Sequence, residues 1–124
     1  MAEGLKLFDA EYRFALIVWE NEPIRSRELA RLCEEKLGWK RTTTYTVLRK
    51  LCERGILRND SAVVTAAVKK GDVQGYESAA VVDRTFGGSL PSFITAFLKT
   101  KKLTAEEIAE IQAMIDAQRT DGHG

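Results

Sequence analysis

The sequence holds little from which a catalytic or metal centre could be built. Its single histidine, His123, sits in the terminal RTDGHG run. The two cysteines, Cys33 and Cys52, form no Cys-x-x-Cys and have no further ligands at metal spacing. A glycine-rich phosphate loop and a nucleophile elbow are both missing, and Thr43 and Ser89 have no base placed to activate them. A non-enzyme without cofactor or metal is therefore expected. No apolar run approaches the ~20 residues that a membrane-spanning helix needs. The opening MAEGLKLFDAEY carries acids early and no apolar signal region, so export is not expected. A cytoplasmic chain with reduced cysteines packed among apolar residues fits that pattern.

What is present is charge, unevenly placed. The whole chain of 124 residues carries a net charge of only +1. Yet between residues 36 and 58 Lys36, Lys40, Arg41, Arg49, Lys50, Arg54 and Arg58 face one acid, Glu53, a local net of +6. Residues 1–35 carry −3 and residues 59–124 carry −2. Neutralising phosphates needs such a concentrated field, which a whole-chain isoelectric point hides.

The hydrophobic spacing predicts a first helix from Ala10 to about Glu20, capped by Asp9, with Tyr12, Ala15, Leu16 and Trp19 on its inner face. A second helix starts at Ser26 as N-cap and stops at Gly38, with Leu29, Leu32, Cys33 and Leu37 as its stripe. A third runs from about Arg41 to Arg54. Thr44, Val47, Leu48 and Leu51 turn inward there, and Thr42, Tyr45, Thr46 and Arg49 turn outward beside Lys50. Three consecutive threonines and a valine are poor helix formers, so packing or function must offset their cost. Ile56-Leu57-Arg58, the turn residues Asn59-Asp60-Ser61 and a β-branched run from Val63 to Val68 then read as a hairpin.

Three short helices followed by a hairpin, with the third helix basic, form a winged helix-turn-helix pattern. The fold class expected is mainly α with a small β wing: a winged helix-turn-helix domain over residues 1–70, then a helical region over 71–124 divided from it near Lys69-Lys70-Gly71. A basic helix of this kind fits the major groove of double-stranded DNA, which makes Lys40, Arg41, Thr42, Thr43, Tyr45, Thr46, Arg49, Lys50 and Arg58 the candidate contacts. Two other readings remain open: a solvated basic face, and a winged helix that docks an acidic protein.

In the C-terminal half, Asp72 can cap a helix reaching about Phe86, and Gly87-Gly88 ends it. Leu90, Phe93, Ile94, Phe97 and Leu98 follow helical spacing after Ser89 and Pro91. Thr104 and Glu107 make a capping box, with Leu103 stapled to Ile108 and Ile111, Met114 and Ile115 continuing the apolar face. Three thin helices cannot easily cover that surface. Phe93, Ile94, Phe97, Leu98, Leu103, Ile108, Ile111 and Ile115 are therefore candidates for a homodimer interface, or else for a core packed on the N-terminal domain.

Several short runs carry a family resemblance: Asp9-Ala10-Glu11, Val18-Trp19, Trp39, then Thr43, Thr46, Leu48, Leu51 and Gly55, and later Phe86-Gly87-Gly88-Ser89 and Leu103-Thr104-x-Glu106-Glu107-Ile108. In their order and spacing, over about residues 7–116, the chain resembles the penicillinase-repressor (BlaI/MecI) family, which includes copper-responsive repressors. The resemblance implies a homodimer that sits on an inverted-repeat operator, often with TACA-like half-sites, and blocks transcription. It implies that the third helix reads the major groove through Thr43, Thr46, Arg49 and Lys50, and that the three C-terminal helices dimerise. The chain departs from the family at Lys40, where a small polar N-cap is usual, and in the wing, where Val64-Thr65-Ala66-Ala67 replaces an aromatic-x-Pro ending. In antibiotic-responsive members a sensor protease cuts an Asn-Phe bond; the matching bond here is Ala96-Phe97. The tail lacks the cysteines of the copper-responsive members.

Overall fold

In the computed structural model, which describes residues 5–121, the element order is α1 (Asp9–Asn21), β1 (Ile24–Arg25), α2 (Ser26–Leu37), α3 (Arg41–Glu53), β2 (Leu57–Asp60), β3 (Val63–Ala66), α4 (Lys70–Phe86), α5 (Leu90–Leu98) and α6 (Ala105–Asp121). Three helices and an antiparallel hairpin in this order are a winged helix, as the sequence pattern implied. The strands form one sheet in the order β1-β3-β2, with Ile24 opposite Val64 and Arg58 opposite Thr65. Contacts divide the chain into two compact units, Met1–Ala80 and Val81–Gly124, and the division falls inside α4. His123 lies outside the described residues.

The first unit is organised around one core. Phe14 and Val18 of α1, Leu29 and Cys33 of α2, Leu48 and Leu51 of α3, then Ile56, Leu57, Val64 and Val73, are all sealed from solvent. Full burial of each large aliphatic or aromatic side chain is worth about 1.5–3 kcal/mol, so this set holds the three helices against the sheet. Trp19 lies at its edge and donates Nε1–H to the Val68 carbonyl at 3.0 Å, which ties the chain beyond β3 to α1. Phe14 stacks on Trp39, ring centroids 5.6 Å apart, fixing the approach to α3.

Several local expectations are corrected. The buried face of α1 is Phe14, Ala15, Ile17 and Val18; Tyr12, Leu16 and Trp19 flank it half-buried. The stripe is broader than a single 3.6-residue line because α1 touches both α2 and β3. Asp9 is the first helical residue and Phe8 holds the N-cap position, where the Glu11 carboxylate accepts the Phe8 N–H at 3.0 Å. Ser26 likewise opens α2 from within, with Arg25 before it and no side-chain cap. Strand β1 is additional to the expected hairpin, because two residues after a proline carry no alternation that would mark a strand. In the hairpin, Asn59 and Asp60 belong to β2, and the turn is Ser61-Ala62 alone. Both turn residues have positive φ, 51° and 68°, as a two-residue hairpin turn of matching twist requires.

The second unit is held at its joints by capping. The Gly88 N–H reaches back to the Val82 carbonyl at 3.0 Å, and Gly87 and Gly88 adopt the positive φ that closes α4. Ser89 Oγ accepts the Ser92 N–H at 3.1 Å to start α5. Thr104 and Glu107 form the expected box: the Thr104 N–H donates to Glu107 Oε1 at 2.9 Å, and the Glu107 N–H donates to Thr104 Oγ1 at 3.0 Å. The Thr104 N–H holds the Glu107 carboxyl below the usual carboxylate range. No described residue of α5 or α6 is buried.

Candidate nucleic-acid interface

The placement of α3 follows from its buried side. Thr44, Leu48 and Leu51 enter the core, which leaves the opposite face to solvent. Gly38, at φ +70°, ends α2; its N–H reaches the Glu34 carbonyl and that of Trp39 the Cys33 carbonyl, so the chain turns sharply into α3. Of the expected outward residues Thr42, Thr46 and Arg49 are exposed, and Tyr45 is not fully so. Thr42, Thr43, Thr46, Arg49 and Lys50 are exposed on α3, with Lys40 and Arg41 at its start. Tyr45 is half-buried, its ring leaning on the core. The Thr46 hydroxyl donates to the Thr42 carbonyl at 2.9 Å, so its oxygen can still accept. Arg58 is exposed on β2, at the base of the hairpin.

Charge pairing separates these cations into two kinds. Arg54 is engaged, with the Glu11 carboxylate at 3.2 Å and the Lys6 carbonyl as partners. It therefore fastens the end of α3 to the start of α1 rather than contributing a free charge. Lys40, Arg41, Arg49, Lys50 and Arg58 take part in no ion pair among the described residues. On α2 the arginine next to acids is Arg31, held by Glu28 and Glu35, and that pairing lowers the Glu28 carboxyl.

An exposed threonine in a helix costs a few tenths of a kcal/mol relative to alanine, with no burial to offset it. Thr44 is the one of the four α3 threonines that packing explains: it is fully buried beside Cys33, though its hydroxyl finds no hydrogen bond of ordinary geometry. Burial, opposed by that Thr44 contact, pushes the Cys33 thiol up; burial, then Asp60 and Glu53, push the Cys52 thiol up. Neither favours a reactive thiolate. Among the described residues no three metal-ligating side chains come together, and no helix is long and apolar enough to cross a membrane.

Two further cations stand outside the expected contact set. Arg25 and Arg27 flank the start of α2, are exposed, and line a cavity with Arg41 and Tyr45 of α3. The cue was there in Arg25-Ser26-Arg27 at a helix start, but both arginines lie outside the 36–58 window.

The candidate dimer residues fall in the second unit. Eight of the nine exposed large hydrophobics among the described residues are Leu90, Ile94, Phe97, Leu98, Ile108, Ile111, Met114 and Ile115, the ninth being Phe8. All eight lie on two helices, α5 and α6. Phe93 and Leu103 are half-buried instead. Phe93 packs edge-on to Phe86 at 5.5 Å and stacks with Phe97 at 6.3 Å, so part of the aromatic stripe is spent inside the unit. Ala96 and Phe97 lie in the last turn of α5.

A family model described as penicillinase repressor matches residues 7–117. The penicillinase repressor of Bacillus licheniformis is 24% identical over 118 residues, covering 92% of each chain.

Proposed function

Because the chain belongs to the penicillinase-repressor family, we propose that it is a transcriptional repressor that binds an inverted-repeat operator as a homodimer, with α3 in the major groove. Repression is then occlusion: two copies of α3 occupy successive major grooves and exclude transcription from the promoter. The observation that carries this reading is the outer face of α3, where Thr42, Thr43, Thr46, Arg49 and Lys50 are exposed and the two cations unpaired. Hydroxyls at three positions and a guanidinium at a fourth suit base edges and thymine methyls, while Lys40, Arg41 and Arg58 flank them as phosphate contacts. Tyr45, anchored in the core, offers its ring edge and hydroxyl from a fixed position.

One half-site bound by a single copy is weak. Joining two copies through the apolar face of α5 and α6 turns the second half-site contact into an intramolecular one, which multiplies affinity by 10²–10⁴ without a new contact. Cutting between Ala96 and Phe97 would remove that advantage by parting α3 from α6. Both residues are helical, so a sensor protease would first have to open the last turn of α5.

The test is sequence preference. Fluorescence anisotropy at ~150 mM salt should give tight binding to a ~30 bp duplex from the chain's own promoter, and scrambled duplexes should bind about 10³-fold more weakly. Equal binding to every duplex would reject the operator reading and favour a basic face that docks an acidic protein.

A further inference from the structure

The start of α2 and the flank of α3 enclose an open cavity of about 400 Å³ lined by Arg25, Ser26, Arg27, Arg41, Tyr45 and Ala62. Three of these six are arginines, and none of the three pairs with an acid among the described residues. The acid of this turn, Glu28, is held by Arg31 and lines an adjoining cavity, which Arg27 and Arg41 also border. The 12-residue α2 begins here without a side-chain cap, with Glu28 the acid of its first turn. Ser26 is only 8% exposed, and its hydroxyl has no hydrogen-bond partner among the described residues. Thr44 Oγ1 is the sealed, unpartnered polar side-chain atom of these residues; the Ser26 hydroxyl keeps access to solvent, and the cavity is what Ser26 lines.

The far wall is the hairpin tip. The Ser26 N–H donates to the Ala62 carbonyl at 2.8 Å, which folds the tip onto the start of α2. Ser61 and Ala62 carry no charge, and Asp60 precedes them. The tip is thus built to close the cavity rather than to reach outward with cations of its own.

From the three unpaired arginines, the helix end without a side-chain cap and the unpartnered Ser26 hydroxyl beside them, we propose that this cavity is a phosphate clamp. It seats one backbone phosphodiester of the bound duplex, held by Arg25, Arg27 and Arg41 with the Ser26 hydroxyl as an oriented donor. This rests on the operator-binding reading and extends it to residues outside α3. The clamp fixes the register in which α3 enters the groove and contributes affinity without reading sequence.

Arg27→Ala, Arg25→Ala and Ser26→Ala are the variants, and thermal melting of each confirms folding. Operator and scrambled duplexes are titrated across a salt series, with a parallel set of operators carrying a neutral methylphosphonate at one backbone position at a time. Arg27→Ala or Arg25→Ala should weaken both duplexes by the same factor, roughly tenfold, and reduce the slope of log K against log salt by about 0.9 per protomer bound. One methylphosphonate position should weaken binding by the unmodified chain and have no further effect on Arg27→Ala. Unchanged slopes in all the variants, with the unmodified chain still selecting its operator, would overturn the clamp alone. An unmodified chain without any duplex binding would overturn the operator reading as well. Displacement of operator by inorganic phosphate, beyond that by chloride at equal ionic strength, would reassign the cavity to a free oxyanion and overturn the phosphodiester assignment.

Discussion

In the first unit Phe14, Leu29, Leu51 and Ile56 are sealed, and the outer faces are charged; in the second, Met114 is 65% exposed and Ile108 53%, and no described residue of α5 or α6 is buried. The first unit has met its own need for burial, so its surface is free to be polar and unpaired, as the proposed DNA partner demands. The second unit has good helix caps at Ser89 and at Thr104 with Glu107, yet too little to cover its isoleucines. Caps are worth about 0.5–2 kcal/mol each and set where helices begin; they do not supply a core. The lesson is that local helix chemistry and tertiary completion are separate, and that the second is what a further copy of the chain would provide.

The largest effect should come from breaking the proposed completion of the second unit. Ile111→Glu places a charge on the exposed apolar face and should lower operator affinity by 10²–10⁴-fold in an anisotropy titration, through loss of the paired half-site. The first unit should keep its fold, visible as an unchanged near-ultraviolet spectrum from Trp19 and Trp39.

A comparable blow to the other side of the comparison is Phe14→Ala. The ring is fully buried and stacked on Trp39, so its loss should cost about 3–5 kcal/mol in chemical denaturation. Met114→Ala, on the open face, should leave monomer stability within about 0.5 kcal/mol and weaken only self-association. Equal costs for the two would erase the contrast between units.

Arg49→Ala sharpens the functional half. With the side chain exposed and unpaired, stability should hold, while operator binding falls by about 1–3 kcal/mol if the guanidinium grips a guanine. Selectivity over a scrambled duplex should fall with it, unlike the uniform loss expected at Arg27. The smallest effect should be a gain. Ala62 sits at φ 68°, where an L-residue is strained, so Ala62→Gly should stabilise the first unit by up to about 1 kcal/mol and raise its Tm by a few degrees.

Elements with a strong local signal could be read from the chain alone. Gly38 closing α2, the Thr104–Glu107 box, the inward Thr44, Leu48 and Leu51 and the outward Thr46 and Arg49 all follow from spacing and capping chemistry within one or two turns. What escaped depends on contacts far apart in sequence. The two residues of β1 become a strand only because β3 lies beside them. The inner face of α1 widened because two neighbours press on it, and Phe93 was drawn half inward by Phe86. Arg25 and Arg27 look like ordinary surface charges until α3 and the hairpin tip close around them. Arg54 looked like one more free cation until α1 supplied Glu11.

The contrast between the units rests on what covers Ile94, Phe97, Ile108 and Ile111, and sedimentation equilibrium of the chain at micromolar concentration without DNA measures that directly. A species of twice the 13.9 kDa chain mass, returning to 13.9 kDa in Ile111→Glu, is the predicted result. A species of 13.9 kDa at every concentration up to about 50 μM, where even a weak micromolar association would register, would contradict it.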